Sequence, residues 1–308
     1  MPALGRTLVT GGHGFAGRHL VELLRRADVE VSAPAHAQLD LLDAGELRSH
    51  VGEAAPVVVF HLAAFSSPAL SWERPRDALV TNVEMTLNLL EAVRREAPAA
   101  AVLLIGSGQI YGEPDELPVD EDAPLAPGNP YAVSKATVDL LGRQYADAFG
   151  MRVVLLRAFN HAGPGQSADY VLSSLAKQIA AAESANASEV ALRTGDPGSA
   201  RDFTDVRDVV RAYALAATLE RGTYNVCSGH ATKVAELVEM FAEHAAIPVR
   251  HEVDPHRLRA HDARAMRGSN ARIRAATGWE PEIPLERTVR DTLDWWRALS
   301  AGASASAP

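Results

Sequence analysis

The chain has 308 residues, of which 47% are hydrophobic and 22% charged, and its formal net charge is −9. This is the composition of a globular protein that is long enough for one large or two unequal domains. The negative charge excludes a sequence-independent nucleic-acid binder, because such proteins neutralise phosphates with a basic face. The single cysteine, Cys227, excludes an internal disulfide and supplies no plausible metal cluster, which favours the cytoplasm and predicts no bound metal.

Neither end of the chain predicts a membrane or export segment. The N-terminus MPALGRTLVTGG enters a strand-like run at once, without the basic and apolar regions of a secretory signal. No run of about 18 apolar residues predicts a transmembrane helix. Residues 300–308 are small and polar, and we predict that they form a frayed tail.

Strand-like and helical patterns alternate through the first half of the chain. TLVTG, VEVSA, PVVVFHLAA and AVLLIGS predict strands, and the patterns over residues 14–26 and 80–96 predict helices. VVVFHLAA and VLLIGS are apolar throughout, which indicates central strands that are covered on both faces. We therefore predict an α/β fold with a Rossmann-type, doubly wound parallel sheet.

The pattern loosens after RVVLLRAFN, which predicts a sixth strand. Helices are predicted over residues 172–183 and 206–219, with a turn in TGDPGSARDFTDV and a short strand in TYNVCS. We predict a dinucleotide-binding domain over residues 1–163 and about 205–230. Residues 164–204 and 231–299 are then a smaller C-terminal substrate-binding domain.

A glycine-rich turn joins the first strand to the first helix. VTGGHGFAGRHL places Gly11, Gly14 and Gly17 at this junction. Glycines there allow a tight turn, close approach of the backbone to a pyrophosphate, and close packing of the helix on the strand. The helix N-terminus offers N–H groups to the phosphates. A turn without a ligand is the alternative, but the setting between strand and helix favours a dinucleotide site.

The end of the second strand indicates which dinucleotide is bound. An acidic residue there would accept the ribose hydroxyls, but the sequence reads APAH from residue 33. We predict NADP or NAD as the cofactor, and the missing carboxylate favours NADPH over NADH. Arg18 or His36 can approach the 2′-phosphate of NADPH. Asp40 can contact the adenine, or instead cap a helix or face solvent.

Tyr131 and Lys135 form the motif YAVSK and lie one turn apart if the segment is helical. The lysine ammonium is then expected to lower the tyrosine pKa from its usual value of about 10, so that the phenol can exchange a proton with a carbonyl. Ser107 follows the apolar run VLLIG, at the strand end where open α/β sheets bind ligands, and can orient the reacting oxygen. A surface helix and a turn serine are the alternatives.

Seven motifs occur in order over nearly the whole chain: TGGHGFAG, HLAA, SGQIYG, YAVSK, RAFNHAGPG, RDFTDVRDV and YNVCSG. Together they resemble the extended short-chain dehydrogenases/reductases that process nucleotide sugars. FNHAGPGQ followed by ARDFTDVRDVVRAY is most similar to GDP-mannose 4,6-dehydratase relatives, especially GDP-4-keto-6-deoxy-D-mannose reductases. The resemblance implies that Ser107, Tyr131 and Lys135 are the catalytic residues.

The resemblance also implies ligand contacts. Asn160 is expected near the sugar and Arg201 near the diphosphate or nucleoside, where a guanidinium can bind phosphate bidentately. A surface ion pair between Arg201 and Asp205, and helix capping by Asn82, are the alternatives. The predicted cofactor contacts are Gly11, Gly14, Phe15, Ala16, Gly17, Asp40, Leu41, Leu62, Ala63, Ala64, Asn82, Tyr131 and Lys135. The predicted substrate contacts are Ser107, Gln109, Asn160, Arg201 and Arg259.

Two histidines are weaker acid/base candidates than the tyrosine, although histidine titrates near neutrality. His61 lies in a buried strand pattern and is expected to bond the backbone. His161 is expected to shape the Gly/Pro-rich loop that follows it.

Three reactions fit this scaffold: reduction of a ketosugar, C4 epimerisation through a transient ketone, and 4,6-dehydration. Similar dehydratases have a glutamate two residues after the catalytic Ser/Thr, but this chain has Gln109, and an amide cannot act as the base. Glu113 lies nearby in sequence and can serve instead. Epimerases keep their NAD bound, whereas reductases exchange their cofactor at each turnover. The missing carboxylate after the second strand suits an exchangeable NADPH. We therefore expect a reductase of a nucleotide-linked 4-keto-6-deoxyhexose, and the intact Tyr131 and Lys135 count against a module that only senses NAD(P).

A homodimer is also expected, through a four-helix bundle of the helix over residues 80–96 and the YAVSK helix. The apolar positions Val138, Leu140, Leu141 and Tyr145 exceed what one face packed on the sheet requires.

Overall fold

A computed structural model describes residues 4–257 and 265–305, with side chains up to residue 301. The strands, in chain order, are β1 (Thr7–Thr10), β2 (Val31–Ser32), β3 (Val58–His61), β4 (Ala101–Ile105), β5 (Val153–Ala158), β6 (Asn160–Ala162), β7 (Val190–Thr194), β8 (Ala200–Asp205), β9 (Gly222–Val226), β10 (Ala231–Lys233), β11 (Val249–Val253) and β12 (Ala265–Met266). The helices are α1 (Phe15–Arg26), α2 (Ala44–Ala54), α3 (Pro68–Glu73), α4 (Pro75–Glu96), α5 (Pro130–Phe149), α6 (Val171–Ser184), α7 (Val206–Ala216), α8 (Val234–His244), α9 (Ala271–Thr277) and α10 (Leu285–Ala305).

Within the described residues, six parallel strands form the main sheet in the spatial order β2-β1-β3-β4-β5-β9. β1 lies between β2 and β3, so the strand order reverses beside β1. In open α/β sheets a ligand crevice forms at the carboxyl ends of the strands at such a point. The predicted Rossmann-type α/β fold is confirmed.

Neighbouring residues of each strand face opposite sides of this sheet, and helices cover both sides. Val9 belongs to a core that includes Leu20 of α1 and Val209 of α7. Leu8, one residue earlier, belongs to a second core that includes Leu89 of α4 and Val138 of α5. The continuously apolar strand sequences follow from this two-sided burial.

The smaller part of the molecule is built around β8, which pairs with β6 and β12 in parallel and with β10 antiparallel. Its core contains Leu175 of α6, Phe203 of β8, Phe241 of α8 and Leu293 of α10. β8 corrects the sequence prediction, because the predicted turn in TGDPGSARDFTDV is a strand from Ala200 onward. Pairing with distant strands outweighs the turn preference of the DPG sequence that precedes it.

Other boundaries also differ from the predictions. RVVLLRAFN forms β5, the fifth strand rather than the sixth, and the helix expected over residues 80–96 already begins at Pro75, a residue suited to a first helical turn. α10 continues to Ala305, so residues 300–305 are helical rather than frayed, as their alanines favour, and residues 306–308 lie outside the described part.

Two C-terminal residues, Ile273 and Trp279, pack into the core around α1 and α7. They belong to the predicted substrate-binding domain, whose boundaries stay a prediction.

The predicted dimer face also needs correction. Val138 and Tyr145 are buried, and Leu141 packs against the same core, whereas Leu140 is 56% exposed. The Tyr145 hydroxyl donates to Glu91 of α4 over 2.9 Å, so this residue joins two helices of one subunit. Of the predicted positions, Leu140 is exposed. The other exposed large apolar side chains on α4 and α5 are Val80, Leu87, Val133 and Phe149.

Candidate active site

A cleft of about 930 Å³ lies at the carboxyl edge of the main sheet, and β6 and β8 contribute to its other side. Most of the predicted site residues line it, although they come from separate elements. They are Gly11, Gly14, Phe15, Ala16, Gly17, Leu62, Ala63, Ala64, Ser107, Gln109, Tyr131, Lys135, Asn160 and Arg201. The sequence motifs therefore converge on one site.

Among the described residues, Asp40, Leu41 and Asn82 are predicted cofactor contacts that do not line the cleft. Asp40 accepts a hydrogen bond from the Leu42 amide at 3.0 Å, and Leu41 is buried in the core. The cap of α2 is Asp43, not Asp40. Arg259, a predicted substrate contact, lies outside the described residues.

Asn82 lies inside α4, so it is not a helix cap. Its side chain is buried and bonds both backbone groups of Phe65, at 2.6 and 3.1 Å, and the Ser134 hydroxyl at 2.8 Å. Asn82 thus ties the segment after β3 to the helix that carries Tyr131.

The glycine turn fits a dinucleotide pyrophosphate. Gly11 has φ +72°, and a Cβ on Gly17 would lie 2.1 Å from the Gly11 carbonyl oxygen, so both positions require glycine. Gly14 caps α1 without a side chain, which leaves the first N–H groups of the helix for a phosphate. We conclude that these residues can hold NAD(P).

Ser107 and Tyr131 meet in the cleft through their hydroxyl groups. Ser107 follows β4, and its Oγ accepts the Gln109 amide at 3.2 Å in a short 3₁₀ turn, Gly108–Tyr111. Burial raises the pKa of Tyr131 to about 12, although the hydrogen bond from Ser107 works in the opposite direction. The phenol therefore stays protonated at neutral pH.

Lys135 lies one turn after Tyr131 on α5, as predicted. Its Nζ donates to the Ile105 carbonyl at the end of β4, over 2.7 Å, and burial lowers the pKa of Lys135 to about 8. The pKa of Tyr131 is raised overall rather than lowered as predicted, because burial of the phenol is its largest cause.

Gln109 lines the same cleft as Ser107 and Tyr131. Its Oε1 accepts a hydrogen bond from Asn129 Nδ2 at 3.2 Å, and Asn129 caps α5 by accepting the Ala132 amide at 2.8 Å. This neutral amide connects the Ser107 turn with the start of the Tyr131 helix. Glu113 also lines the cleft, as an exposed residue.

The pKa values of the two histidines are lowered, whereas that of Tyr131 is raised. His61 bonds the hydroxyls of Thr10 and Thr86, at 2.7 and 3.1 Å, rather than the backbone as predicted. Burial, followed by the charge of Lys135, lowers the pKa of His61 to about 3, so it is neutral and structural. His161 stacks on Phe15, and burial lowers the pKa of His161.

On the other side of the cleft, Asn160 and Arg201 lie on the paired strands β6 and β8. The Asp205 carboxylate is bonded by Arg207, at 2.7 and 2.8 Å, and by Thr288, at 2.7 Å. Arg207 and Thr288 therefore bond the carboxylate that the alternative paired with Arg201. Arg201 lines the cleft instead.

The chain matches the model of the family described as GDP-mannose 4,6 dehydratase over residues 33–292. It is 39% identical over 301 residues to GDP-6-deoxy-D-mannose reductase of Pseudomonas aeruginosa, with 95% of this chain and 97% of the relative covered. The chain belongs to the GDP-mannose 4,6 dehydratase family. Its relatives also include UDP-glucose 4-epimerase of Mycolicibacterium smegmatis, 30% identical over 317 residues, which cover 96% of this chain and 99% of that enzyme.

Solved structures agree with this family assignment. RMD from Pseudomonas aeruginosa, complexed with NADPH, has a TM-score of 0.87 and 36% identity, and the match covers 96% of this chain and 100% of that one. UDP-glucose 4-epimerase of Thermus thermophilus, in complex with NAD, has a TM-score of 0.83 and 31% identity, with 95% and 99% covered. Members of this fold therefore bind either nicotinamide dinucleotide.

Several cleft residues of this family member were missed by the sequence analysis. Gln166 is buried; its side-chain Nε2 donates to the His161 carbonyl at 2.8 Å, and its main-chain carbonyl accepts the Ser173 hydroxyl at 2.7 Å. Tyr170 reaches across to the Ser66 carbonyl at 3.1 Å. Only the motif GPGQ signalled Gln166, whereas no local pattern marks Tyr170.

Two absences apply to the described part of the chain. Residues 4–257 and 265–305 contain no group of three or more His, Cys, Asp or Glu side chains that could hold a metal ion. Within the same ranges, no helix is long and apolar enough to cross a membrane.

Proposed function

We propose that this family member is an NAD(P)H-dependent reductase of a nucleotide-linked 4-keto-6-deoxyhexose, most specifically GDP-4-keto-6-deoxy-D-mannose. The observation that carries the proposal is the presence of Ser107, Tyr131 and Lys135 in one cleft with the neutral Gln109. The first three provide proton transfer, while Gln109 lacks the basic group that dehydration requires. The 39% identity to a GDP-6-deoxy-D-mannose reductase supports the same choice.

Each of these side chains has a separate role in the reduction. Bound NADPH supplies the hydride to C4 of the sugar. Ser107 donates a hydrogen bond to the C4 carbonyl oxygen and orients it toward Tyr131. The Tyr131 phenol, whose pKa of about 12 keeps it protonated, gives its proton to that oxygen as negative charge develops. The ammonium of Lys135 stabilises the phenolate that remains.

We propose NADPH rather than NADH as the reductant. A groove of about 490 Å³ lies beside Ala33, after β2. His13, Arg18, Arg25 and Arg26 contribute to its lining, together with one acidic residue, Glu22, which pairs with Arg26. An acidic residue at Ala33 would repel a 2′-phosphate, whereas these basic side chains attract one. kcat/KM for NADPH is therefore expected to exceed that for NADH by about tenfold or more. Equal values with the two cofactors would contradict this preference.

The reaction class is tested on the wild-type enzyme with two mixtures. With GDP-4-keto-6-deoxy-D-mannose and NADPH, we expect loss of NADPH absorbance and a product two mass units heavier. With GDP-mannose and NADP⁺, we expect no 4-keto product. Efficient dehydration without reduction would overturn the proposal, as would C4 epimerisation of a UDP-hexose by an enzyme that retains its cofactor.

We further propose that the enzyme is a cytoplasmic homodimer. Val80 and Leu87 on α4, and Val133 and Leu140 on α5, are exposed and seven residues apart on each helix, so each pair shares one helix face. Two such helix pairs can bury these side chains in a four-helix bundle. The free, buried thiol of Cys227 fits a reducing compartment.

A charged substitution in this face tests the dimer. Leu140→Glu is expected to give monomers in sedimentation experiments at micromolar concentration. Leu299→Glu is the matched control, because Leu299 is 46% exposed but lies on α10. A wild-type protein that sediments only as a monomer would contradict the proposal.

A further inference from the structure

A fully buried ion pair lies below the cleft, between β5 and α5. Arg157 Nε and Nη2 donate to the two carboxylate oxygens of Asp139, at 2.8 and 3.0 Å, and both side chains are at most 1% exposed. The partly exposed Arg143 also lies 2.9 Å from Asp139 Oδ1. Asp139 lies on α5, one turn after Lys135 and two turns after Tyr131. The ion pair therefore fixes the strand to the helix that carries two catalytic residues.

The remaining nitrogen of this guanidinium reaches a second catalytic segment. Arg157 Nη1 donates to the Tyr111 hydroxyl at 2.7 Å and to the Glu121 carbonyl at 2.9 Å. Tyr111 in turn donates to Asn225 Oδ1 at 2.7 Å, and it ends the 3₁₀ turn that Ser107 caps. Through Tyr111, Arg157 also fixes the turn that carries Ser107.

Arg157 is thus bonded to both elements whose hydroxyls meet in the cleft. Stability alone does not require an ion pair here, because well-packed apolar side chains often stabilise a buried site equally well. A planar guanidinium, however, sets the directions of several hydrogen bonds at once. Displacement of a reacting group by about 1 Å can lower a rate about a hundredfold.

We propose that Arg157 is a positioning residue, which acts through Asp139 and Tyr111 to hold Tyr131 and Ser107 at their working separation. This inference rests on the proposed reductase function. It predicts that weakening the network slows the chemical step and leaves the binding of NADPH and ketosugar unchanged.

Tyr111→Phe removes the hydroxyl that links Arg157 to the Ser107 turn and that also donates to Asn225 Oδ1. The control is Tyr145→Phe, which removes a partly buried tyrosine hydroxyl bond from helix α5 to Glu91, away from the cleft. We expect Tyr111→Phe to lower kcat about tenfold or more, with KM and the NADPH Kd within about twofold. The isotope effect with NADPH deuterated at the transferred position should rise, while Tyr145→Phe keeps kcat within about twofold.

A double variant separates positioning from folding. Arg157→Met with Asp139→Leu replaces the ion pair with apolar side chains, and a Tm near that of the wild type with a lowered kcat supports the proposal. Wild-type kcat in this folded variant would overturn it. If the double variant does not fold, Tyr111→Phe decides: a lowered kcat with an increased isotope effect supports positioning, and wild-type kcat refutes it.

All ratios are measured with the ketosugar that the wild-type enzyme reduces. Failure of the wild type to oxidise NADPH with any nucleotide ketosugar would contradict the proposed function. Equal kcat for wild type and Tyr111→Phe would contradict only the positioning role.

Discussion

The two walls of the cleft are built on different principles. The cofactor wall consists of the glycine turn, the segments after β3 and β4, and the start of α5. Its key residues lie close together in sequence within one element: Gly14 and Gly17 at the start of α1, and Tyr131 and Lys135 on α5. The wall that we propose binds the substrate, the substrate wall, contains β6, Gln166 and β8, where Asn160 is paired opposite Phe203, 43 residues later. Local geometry sets the first wall, and long-range strand pairing sets the second.

This difference predicts separate kinetic effects for the two walls. A change in the cofactor wall that spares the glycine turn should lower kcat, because it alters groups that act in the transition state. A change in the substrate wall should raise KM, because it removes contacts that the bound substrate already makes.

The largest effect is expected for Tyr131→Phe. The variant lacks the proton donor but keeps the ring, so kcat should fall by at least about a hundredfold while the NADPH Kd stays near the wild-type value. Steady-state rates and fluorescence titration with NADPH measure these quantities. Retained turnover would refute the assignment of Tyr131 as the catalytic acid.

The next effect is expected for Arg201→Ala in the substrate wall. Loss of a charge-assisted bond to a phosphate costs about 1.5–3 kcal/mol, which corresponds to an increase of about 10- to 150-fold in the KM for the nucleotide sugar. The value of kcat should stay within about threefold. Arg201→Lys is the comparison, since it keeps the charge but not the planar fork. A fall in kcat at unchanged KM would place Arg201 in the chemical step instead.

The sequence predicted most residues that line the cofactor wall, because its signals are local. The spacing of Tyr131 and Lys135 becomes one helical turn, and the glycine spacing becomes a close contact between α1 and β1. The sequence failed at β8, whose partners lie far away in the chain, and at Tyr170, which contacts Ser66. Asn82 shows a third case, because its residue type was noticed but burial among Phe65 and Ser134 determines what it does.

The prediction of a lowered pKa for Tyr131 failed for a related reason. A motif shows that a lysine lies nearby, but it does not show how strongly the phenol is buried or that Lys135 bonds the Ile105 carbonyl. Desolvation depends on the whole fold, so it is not readable from the spacing of two residues.

A pH profile sharpens the comparison further, because Lys135, which titrates near neutral pH, belongs to the cofactor wall. Burial lowers the pKa of Lys135 to about 8, so its ammonium is present below that pH and is lost above it. The pKa of Tyr131, about 12, keeps the phenol protonated throughout this range. kcat/KM for ketone reduction should therefore fall above about pH 8, by about tenfold per pH unit.

Lys135→Met provides the control for this profile. It should show a low kcat/KM that does not depend on pH between about 7 and 10, since the titrating ammonium is gone. A wild-type profile that stays flat to about pH 10 would contradict the role of the Lys135 charge.

The smallest effect is expected where the two walls touch. His19 on α1 donates from Nε2 to the Pro164 carbonyl at 2.9 Å, and Arg18 donates to the Gly165 carbonyl at 3.1 Å. One such hydrogen bond contributes about 0.5–1.5 kcal/mol, so His19→Ala should raise the KM for the nucleotide sugar about two- to tenfold by loosening residues 163–166. His19→Gln can keep a donor near the same place and should recover most of the loss. If both variants raise KM equally, the imidazole acts through packing against Phe15 rather than through the hydrogen bond, and the two walls are joined by that ring contact.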